Sequence, residues 1–201
     1  VQLGFQPSDT TCILGFNRPE WTIFDLATMT AGGACAGIYT TNSPEEVAYI
    51  VNHAESRLLL IEDAGQWAKV EGQLDDLKTL THVVLMQGAE GVEHDKVLTW
   101  DAFMSLGNQQ EDAVIDERLA GLEAEQLAAL IYTSGTTGPP KGVMLSHDNL
   151  AWTSHQIPKV LDIGPSDRVL SYLPLSHIAE QLFSIHGPVA LGFEVYFSEG
   201  L

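Results

Sequence analysis

The sequence predicts an α/β fold in which helices cover both faces of a parallel sheet. Between residues 11 and 86, short apolar runs alternate with segments whose apolar residues recur at helical spacing. This order favours parallel strands, because each intervening helix returns the chain to the edge of the sheet where the previous strand began. Composition agrees with this prediction, since 45% of the 201 residues are hydrophobic and can bury a substantial core.

The first strands and helices follow from local signals. Buried strands are predicted at residues 11–16, 34–39, 58–61 and 82–86. Asn17 is expected to cap the first helix, and Pro19 suits its first turn, where a backbone amide has no helical partner. Ser43 precedes a proline and two glutamates and is predicted to begin a helix that runs to about His53. A further helix is predicted over residues 64–77.

The second half of the chain begins with a change in composition. Residues 87–126 are acidic and are predicted to contain no strand, only short helices at 98–106 and 111–122. Strands on either side of a loop are expected at 127–131 and 142–146. Ser146 is expected to cap the next helix, which Pro158 kinks or ends. The last elements are a strand at 168–173, a helix at 178–191 and a strand at 194–197.

These elements divide the chain into three parts. Residues 1–86 are predicted to form a first α/β subdomain, and 87–126 a solvated acidic bridge. Residues 127–201 contain the loop and the start of a second α/β subdomain. The first residues include no Met and no charged segment typical of a signal peptide, so the sequence is interpreted as a piece of a longer protein.

The loop at residues 132–142, YTSGTTGPPKG, carries the clearest chemical signal. Gly135 and Gly138 let backbone amides turn inward where another residue would place a Cβ. Four hydroxyl groups accompany them, at Thr133, Ser134, Thr136 and Thr137. The far side of the loop is stiffened by two residues without an amide donor, Pro139 and Pro140. Lys141 adds a compact positive charge, so the loop is suited to bind a polyphosphate.

The loop differs from the common phosphate loop, G-x-x-x-x-G-K-[ST]. When that pattern begins at Gly135, its lysine falls on Lys141. Its second glycine would then be Pro140 and its Ser or Thr would be Gly142, so two of the four fixed positions fail. Apolar segments on both sides predict strands, and no helix begins at the phosphates. We therefore predict a strand–loop–strand hairpin that closes over a nucleotide, with a surface turn of no chemical use as the alternative.

Several segments, taken together, resemble the adenylate-forming superfamily of acyl-CoA synthetases, luciferases and peptide-synthetase adenylation domains. Residues 132–142 resemble its phosphate-binding motif, and residues 16–21, FNRPEW, resemble an early segment of the same enzymes. Residues 37–46, GIYTTNSPEE, are similar to the strand and helix start that follow. Residues 171–180, SYLPLSHIAE, together with TTNS at 40–43, are most similar to long-chain fatty acyl-CoA synthetases of the bubblegum type.

The resemblance implies that the chain is the amino-terminal part of an AMP-binding domain in a long-chain fatty acid–CoA ligase. Such a ligase uses ATP and Mg²⁺ to convert a fatty acid to an acyl-adenylate, and coenzyme A then displaces AMP. The nine residues that would bind the ATP phosphates are Thr133, Ser134, Gly135, Thr136, Thr137, Gly138, Pro139, Pro140 and Lys141. Family motifs for adenine, ribose and a catalytic lysine are absent from this sequence, so the chain alone is expected to be inactive.

Two residues are candidate catalytic groups, Lys141 and His177. Lys141 would stabilise charge on the departing pyrophosphate. His177 follows Leu-Pro-Leu-Ser where a predicted strand passes into a helix, and the resemblance implies that it positions the acyl group or the adenylate. Capping of the helix is the alternative role for His177. Glu180 either shares the face of His177 or is solvated, and His147 and His186 are expected to be ordinary surface or core residues.

Charge and cysteine content exclude other classes. Nine Lys and Arg against 27 Asp and Glu give a net charge of −18, which disfavours nucleic-acid binding and a basic membrane anchor. Cys12 and Cys35 are expected to be free thiols, as in a reducing, cytoplasmic setting. No metal site is predicted from protein side chains. No apolar run approaches about 18 residues, so no membrane span is predicted; peripheral membrane association through other parts of the protein stays open.

Two alternatives to a fatty acid–CoA ligase remain at this point. The chain could belong to an enzyme that adenylates an aryl, amino or luciferin-type acid, because the residues that select the acid lie outside this sequence. It could also be a nucleotide-binding fragment without catalytic activity.

Overall fold

The strands form one seven-stranded sheet and one separate pair, within the residues that this computed structural model describes, 1–133 and 138–198. The strands are β1 (Thr10–Leu14), β2 (Ala34–Ile38), β3 (Ser56–Ile61), β4 (His82–Leu85), β5 (Val97–Thr99), β6 (Leu127–Thr133), β7 (Lys141–Ser146), β8 (Arg168–Ser171) and β9 (Glu194–Phe197). The helices are α1 (Pro19–Thr30), α2 (Pro44–His53), α3 (Ala64–Trp67), α4 (Trp100–Gly107), α5 (Asp112–Ala120), α6 (His147–Val160), α7 (Ile178–Gln181) and α8 (Gly187–Leu191).

The large sheet has the strand order β5-β4-β3-β1-β2-β6-β7. Neighbouring strands are parallel, except that β6 and β7 form an antiparallel hairpin at one edge. β1 lies between β2 and β3, so the chain leaves the centre of the sheet in both directions. The carboxyl ends of β1 and β3 therefore meet at a topological switch point, where ligands bind in open α/β sheets.

Alternate residues of each central strand enter two different cores. Leu14 lies on the face covered by α2, whereas its neighbour Ile13 faces α1. From α2, Ile50 packs into the first core, and from α1, fully buried Trp21 packs into the second. The prediction of a parallel sheet with helices on both faces is therefore confirmed, with β7 as an antiparallel edge strand.

Two of the predicted helix starts have the expected caps and one does not. Ser43 and Ser146 each cap a helix, and in both cases the residue three positions later returns a side-chain hydrogen bond to the cap amide. The prediction that Asn17 caps α1 was wrong. Arg18 occupies the cap position, and its side chain makes no capping hydrogen bond. The Asn17 side chain is instead bound to Ser171 at the end of β8 and to Leu173 and Leu175 after it.

Two predictions for residues 64–126 were also wrong. The expected helix at 64–77 is broken into α3 and a 3₁₀ helix, Glu71–Asp76, in a segment that contains two glycines of low helix propensity. The acidic segment does contain a strand, β5, which pairs in parallel with β4. Leu98, expected to begin a helix, lies in β5, and α4 begins two residues later with Thr99 as its cap.

The carboxyl-terminal helix is less regular than its apolar pattern predicts. A π-helical segment, Leu182–His186, separates α7 from α8 within the predicted range 178–191. Pro158 lies inside α6, which ends two residues later at Val160. Throughout residues 1–133 and 138–198, no helix is long and apolar enough to cross a membrane. The division at residues 86 and 126 stays a prediction.

Candidate functional site

The loop at 132–142 closes between two paired strands. Thr133 at the end of β6 is opposite Lys141 at the start of β7, and Tyr132 is opposite Gly142. The predicted strand–loop–strand hairpin is therefore confirmed, and β7 begins one residue earlier than expected. Because Thr133 and Lys141 are paired, their side chains stand at the two ends of one loop.

The residues predicted to bind phosphate are partly within the described structure. Thr133, Gly138, Pro139 and Lys141 are exposed, and Pro140 is half-buried. Ser134, Gly135, Thr136 and Thr137 lie outside the described residues. Gly138 has φ +107°, a conformation that residues with a Cβ rarely adopt, and a Cβ built there would meet nothing within 4 Å. Only the backbone conformation therefore requires a glycine at this position.

The ammonium group of Lys141 faces solvent. The side chain is exposed, and no carboxylate in residues 1–133 or 138–198 lies within ion-pair distance of its ammonium. The ion pairs found there belong to Arg18, Arg57 and Arg168. In a chain with net charge −18, an unpaired ammonium at the mouth of a loop is available to an anionic ligand.

The base of the hairpin is anchored to α2. Tyr132 is buried, and its hydroxyl lies 2.8 Å from Nδ1 of His53. A Cβ at Gly142 would lie 3.2 Å from Cζ of Tyr132, so the tyrosine ring lies across the hairpin against this glycine. Burial raises the pKa of the Tyr132 hydroxyl, which therefore stays protonated. The sequence did not indicate the contact between His53 and Tyr132.

His177 stands at the start of α7, as the helix-capping alternative requires. Its Nδ1 accepts a hydrogen bond from the backbone N–H of Ala179 at 3.2 Å. Because Nδ1 is an acceptor, the proton of a neutral imidazole lies on Nε2. The ring is exposed, so the Nε2–H group can reach a ligand at the surface. β8 ends at Ser171, two residues before the predicted end.

The turn before His177 is held by two buried side chains of α7. Glu180 accepts hydrogen bonds from Leu173 N at 3.3 Å and from the Ser184 hydroxyl at 2.6 Å. Gln181 donates to Leu175 O at 2.9 Å. Glu180 is only 4% exposed, so of the two alternatives left open for it, a solvated glutamate is wrong. These contacts fix the backbone of the turn from the helix that follows it.

The turn before His177 and the hairpin loop lie near the carboxyl ends of two neighbouring strands, β2 and β6. A Cβ at Gly37 in β2 would lie 2.7 Å from Cα of Ser176, so only glycine lets the turn approach the sheet so closely. Gly37 pairs with Ile131 in β6, two residues before Thr133. The strand register thus brings His177 and the phosphate loop, which are far apart in sequence, to neighbouring strands.

The remaining titratable groups do not join this arrangement. Buried His186 has its pKa lowered to about 4, mainly by burial and further by His147, so it is an uncharged core residue as expected. Cys12 and Cys35 are buried free thiols. Over residues 1–133 and 138–198, no group of three or more His, Cys, Asp or Glu side chains could hold a metal ion.

Comparison with known proteins gives matches over the whole chain. A family model described as AMP-binding enzyme matches residues 1–201. The long-chain-fatty-acid–CoA ligase ACSBG2 of Homo sapiens is 39% identical over 204 residues, covering 99% of this chain and 30% of that protein. The long-chain-fatty-acid–CoA ligase ACSBG1 of Homo sapiens is 37% identical over 203 residues, covering 99% of this chain and 28% of that protein. The chain thus spans less than a third of these relatives.

Solved structures share the fold at lower identity. The inhibitor-bound N-terminal domain of FACL13 from Mycobacterium tuberculosis has a TM-score of 0.78 and 22% identity, over 99% of this chain and 46% of that chain. ATP-bound MatB from Rhodopseudomonas palustris has a TM-score of 0.72 and 23% identity, over 99% of this chain and 37% of that chain. The α/β fold of this chain is therefore that of the amino-terminal domains of adenylate-forming enzymes.

Proposed function

Because this chain belongs to the AMP-binding enzyme family, we propose that it supplies the phosphate-binding hairpin of a long-chain fatty acid–CoA ligase. The similarity to relatives named long-chain-fatty-acid–CoA ligases over 99% of the chain supports the fatty acid as substrate. The chain spans about 30% of the first of these relatives, so the reaction needs residues outside it. The chain alone is therefore inactive in this proposal.

The proposed reaction has two steps. A carboxylate oxygen of the fatty acid attacks the α-phosphorus of ATP, the bond to the bridging oxygen breaks, and pyrophosphate leaves with the bonding electrons. The thiolate of coenzyme A then attacks the acyl carbon and forms the thioester, and AMP leaves as the bond between the acyl carbon and the AMP oxygen breaks. In the first step, negative charge increases on the departing pyrophosphate, so positioning and electrostatic stabilisation provide most of the catalysis.

The hairpin is proposed to bind the β- and γ-phosphates. Lys141 is exposed and has no ion-pair partner within residues 1–133 and 138–198, and Thr133 stands opposite it across the paired strand ends. Gly138 adopts a backbone conformation suited to turning amides toward an anion. The sequence assigns the same role to Ser134, Gly135, Thr136 and Thr137, and to Pro139 and Pro140 as rigid flanks. Mg²⁺ is proposed to enter with ATP, because it binds largely through phosphate oxygens.

His177 is proposed to position the fatty carboxylate or the acyl-adenylate. Its Nδ1 is held by Ala179 N, which leaves Nε2–H as the donor to a carboxylate oxygen. Tyr172 and Leu173 beside it are 50% and 41% exposed, so they offer apolar surface to an acyl chain. The approach of this turn to β2, next to the strand that carries the hairpin, supports a shared site for both substrates.

The observation that carries the proposal is the strand pairing on both sides of the loop, with Lys141 at the end of the loop and without an ion-pair partner among the described residues, in a chain whose residues 1–201 match the family. The test is ATP–pyrophosphate exchange by the full-length enzyme with long-chain fatty, aryl and amino acids as separate substrates. We expect exchange that depends on the long-chain fatty acid and acyl-CoA formation when coenzyme A is added. Exchange with only an aryl or amino acid, or with none of them, would contradict the proposal.

A further inference from the structure

Among the described residues of segment 1–86, Asn17 is the one whose side chain hydrogen-bonds to the turn that presents His177. Its Nδ2 donates to Leu173 O at 2.6 Å and to the Ser171 hydroxyl at 2.9 Å. Its Oδ1 accepts from Leu175 N at 3.0 Å. A single amide group therefore bridges the end of β8 and the turn, across more than 150 positions of sequence.

Asn17 itself is held firmly from both sides. The preceding residue, Phe16, donates its N–H to the buried carboxylate of Glu62 at 3.0 Å. The following residue, Arg18, donates to the same carboxylate at 2.8 Å and also pairs with Glu20. Glu62 lies directly after β3, so the segment around Asn17 is fixed to the switch point of the sheet. The Asn17 side chain therefore makes its hydrogen bonds to the turn from a fixed backbone position.

The residues of the turn just before His177 are held in place by contacts on several sides. Leu175 is bound by Asn17 through its N–H and by Gln181 through its carbonyl oxygen, and Ser176 lies against Gly37. His177 follows immediately, and its own N–H donates to Pro174 O at 2.9 Å. A displacement of Leu173 or Leu175 would therefore move the imidazole that follows, because no free residue lies between them.

From this geometry we propose that Asn17 is a positioning residue that sets the location of His177 for the fatty acid half of the reaction. The inference rests on the function proposed above for His177. An asparagine is required because the position needs a donor for Leu173 O and an acceptor for Leu175 N on one side chain. Aspartate has the same shape but no donor, and it would place negative charge against the Leu173 carbonyl oxygen.

The test is Asn17→Asp in the full-length enzyme, assayed by fatty-acid-dependent ATP–pyrophosphate exchange. We expect the KM for fatty acid to rise, or kcat for exchange to fall, by about 10- to 100-fold, because small displacements of a positioning group have effects of this size. The KM for coenzyme A should change by less than about twofold. Asn52→Asp is the matched control, since Asn52 also bridges two segments, to Asp76 O at 3.0 Å and Lys78 N at 3.3 Å, away from the turn.

A double-mutant cycle separates positioning from general stability. If Asn17 acts through His177, Asn17→Asp should have less than about a twofold effect on exchange in a His177→Ala background. An equal loss in both backgrounds, or an equal loss in Asn52→Asp, would overturn the inference.

Ser171→Ala, which removes one of the three hydrogen bonds made by the Asn17 side chain, should raise the KM for fatty acid by about three- to tenfold. An unchanged KM for fatty acid in this variant would also count against the inference. An inactive wild-type enzyme would instead overturn the proposed function, and this inference with it.

Discussion

Nδ1 of His53 lies 2.8 Å from the hydroxyl of Tyr132, so the last residue of α2 is joined to the strand that opens the phosphate-binding hairpin. Tyr49 stacks on His53 with ring centroids 5.3 Å apart, and Tyr132 meets the same imidazole edge-on. Across the hairpin, the Tyr132 ring lies against Gly142. The loop therefore begins from a base that is fixed to the first half of the sheet.

Replacing Tyr132 with Phe tests whether this base matters for nucleotide binding. The variant keeps the ring but removes the hydroxyl, so His53 Nδ1 loses its partner, and the free energy of unfolding should fall by about 0.5–1.5 kcal/mol. The KM for ATP in the full-length enzyme should rise severalfold. Tyr196→Phe is the control, because the hydroxyl of Tyr196 donates to exposed Glu194, at 3.2 Å. A loss of stability with an unchanged KM for ATP would limit the contact to the fold.

Lys141→Ala should separate the two half-reactions. Removing one electrostatic contact to the departing pyrophosphate should slow acyl-adenylate formation by about 10²–10³-fold. Thioester formation from supplied acyl-adenylate should change little, because pyrophosphate has already left. Lys159→Ala, which removes an exposed lysine of α6, is the control for loss of one positive charge. Equal slowing of both half-reactions would contradict the assignment.

Gly138→Ala should weaken ATP binding with little effect on the fold. A Cβ at this position meets nothing within 4 Å, so the effect is confined to the backbone, whose φ of +107° an alanine rarely adopts. Gly91 has φ +88° and similarly open surroundings, so Gly91→Ala is a matched control far from the hairpin in sequence. Nucleotide titration and thermal melts would be compared for both variants. If Gly138→Ala lowered Tm while ATP affinity stayed unchanged, the loop would have only a structural role. The sequence makes the same prediction for Gly135, which lies outside the described residues.

The features that the sequence predicted are those with a local cause. The strands around Leu14 and Ile131 are continuous apolar runs, and Ser43 and Ser146 cap helices through residues three positions away. The hairpin follows from glycines and prolines between two apolar segments, and the family resemblance from short contiguous motifs. The confirmed resemblance and fold depend on signals of this kind.

The features that the sequence missed depend on distant partners. Asn17 has the right residue type for a helix cap, but it lies one residue before the cap position and its hydrogen bonds go to residues 171–175. Glu180 is polar yet buried, because the backbone of the turn supplies its partner. β5 has three residues and exists because β4 offers a free edge, which no local pattern reveals. The convergence of His177 and the hairpin also depends on the register between β2 and β6.

Asp25→Asn should change how stability depends on pH. Asp25 is buried in α1, and its burial raises its pKa to about 7 despite a hydrogen bond with the Cys35 thiol, whereas the unfolded chain releases this proton near 3.8. Between these values the native state holds a proton that the unfolded state has lost, so the free energy of unfolding falls as pH rises. The free energy of unfolding of the asparagine variant lacks this dependence on pH. The difference in free energy of unfolding between the variant and wild type should therefore increase, in favour of the variant, by about 1.4 kcal/mol per pH unit up to about pH 7.

Denaturation of the Asp25→Asn variant and wild type at pH 5.5, which lies inside that window, and at pH 8, which lies above it, measures this difference. Burial lowers the pKa of His186 to about 4, and its contribution cancels because variant and wild type are compared at each pH. Asp101→Asn, at an exposed position of α4, controls for the loss of one surface charge. An advantage that is the same at both pH values would show that Asp25 is ionised in the native state.

His177 caps α7 and is also proposed to bind the acyl group, so its two roles need two substitutions. His177→Ala removes both the cap and the Nε2–H donor, and it should raise the KM for fatty acid or lower kcat, while the KM for coenzyme A changes little. His177→Asn restores an acceptor for the Ala179 N–H but has no group in the place of Nε2. The Ala variant should lose about 0.5–2 kcal/mol of stability with the cap, and its Tm should fall. The Asn variant should recover that Tm without recovering the KM for fatty acid. Recovery of both by asparagine would mean that the imidazole serves only to begin the helix.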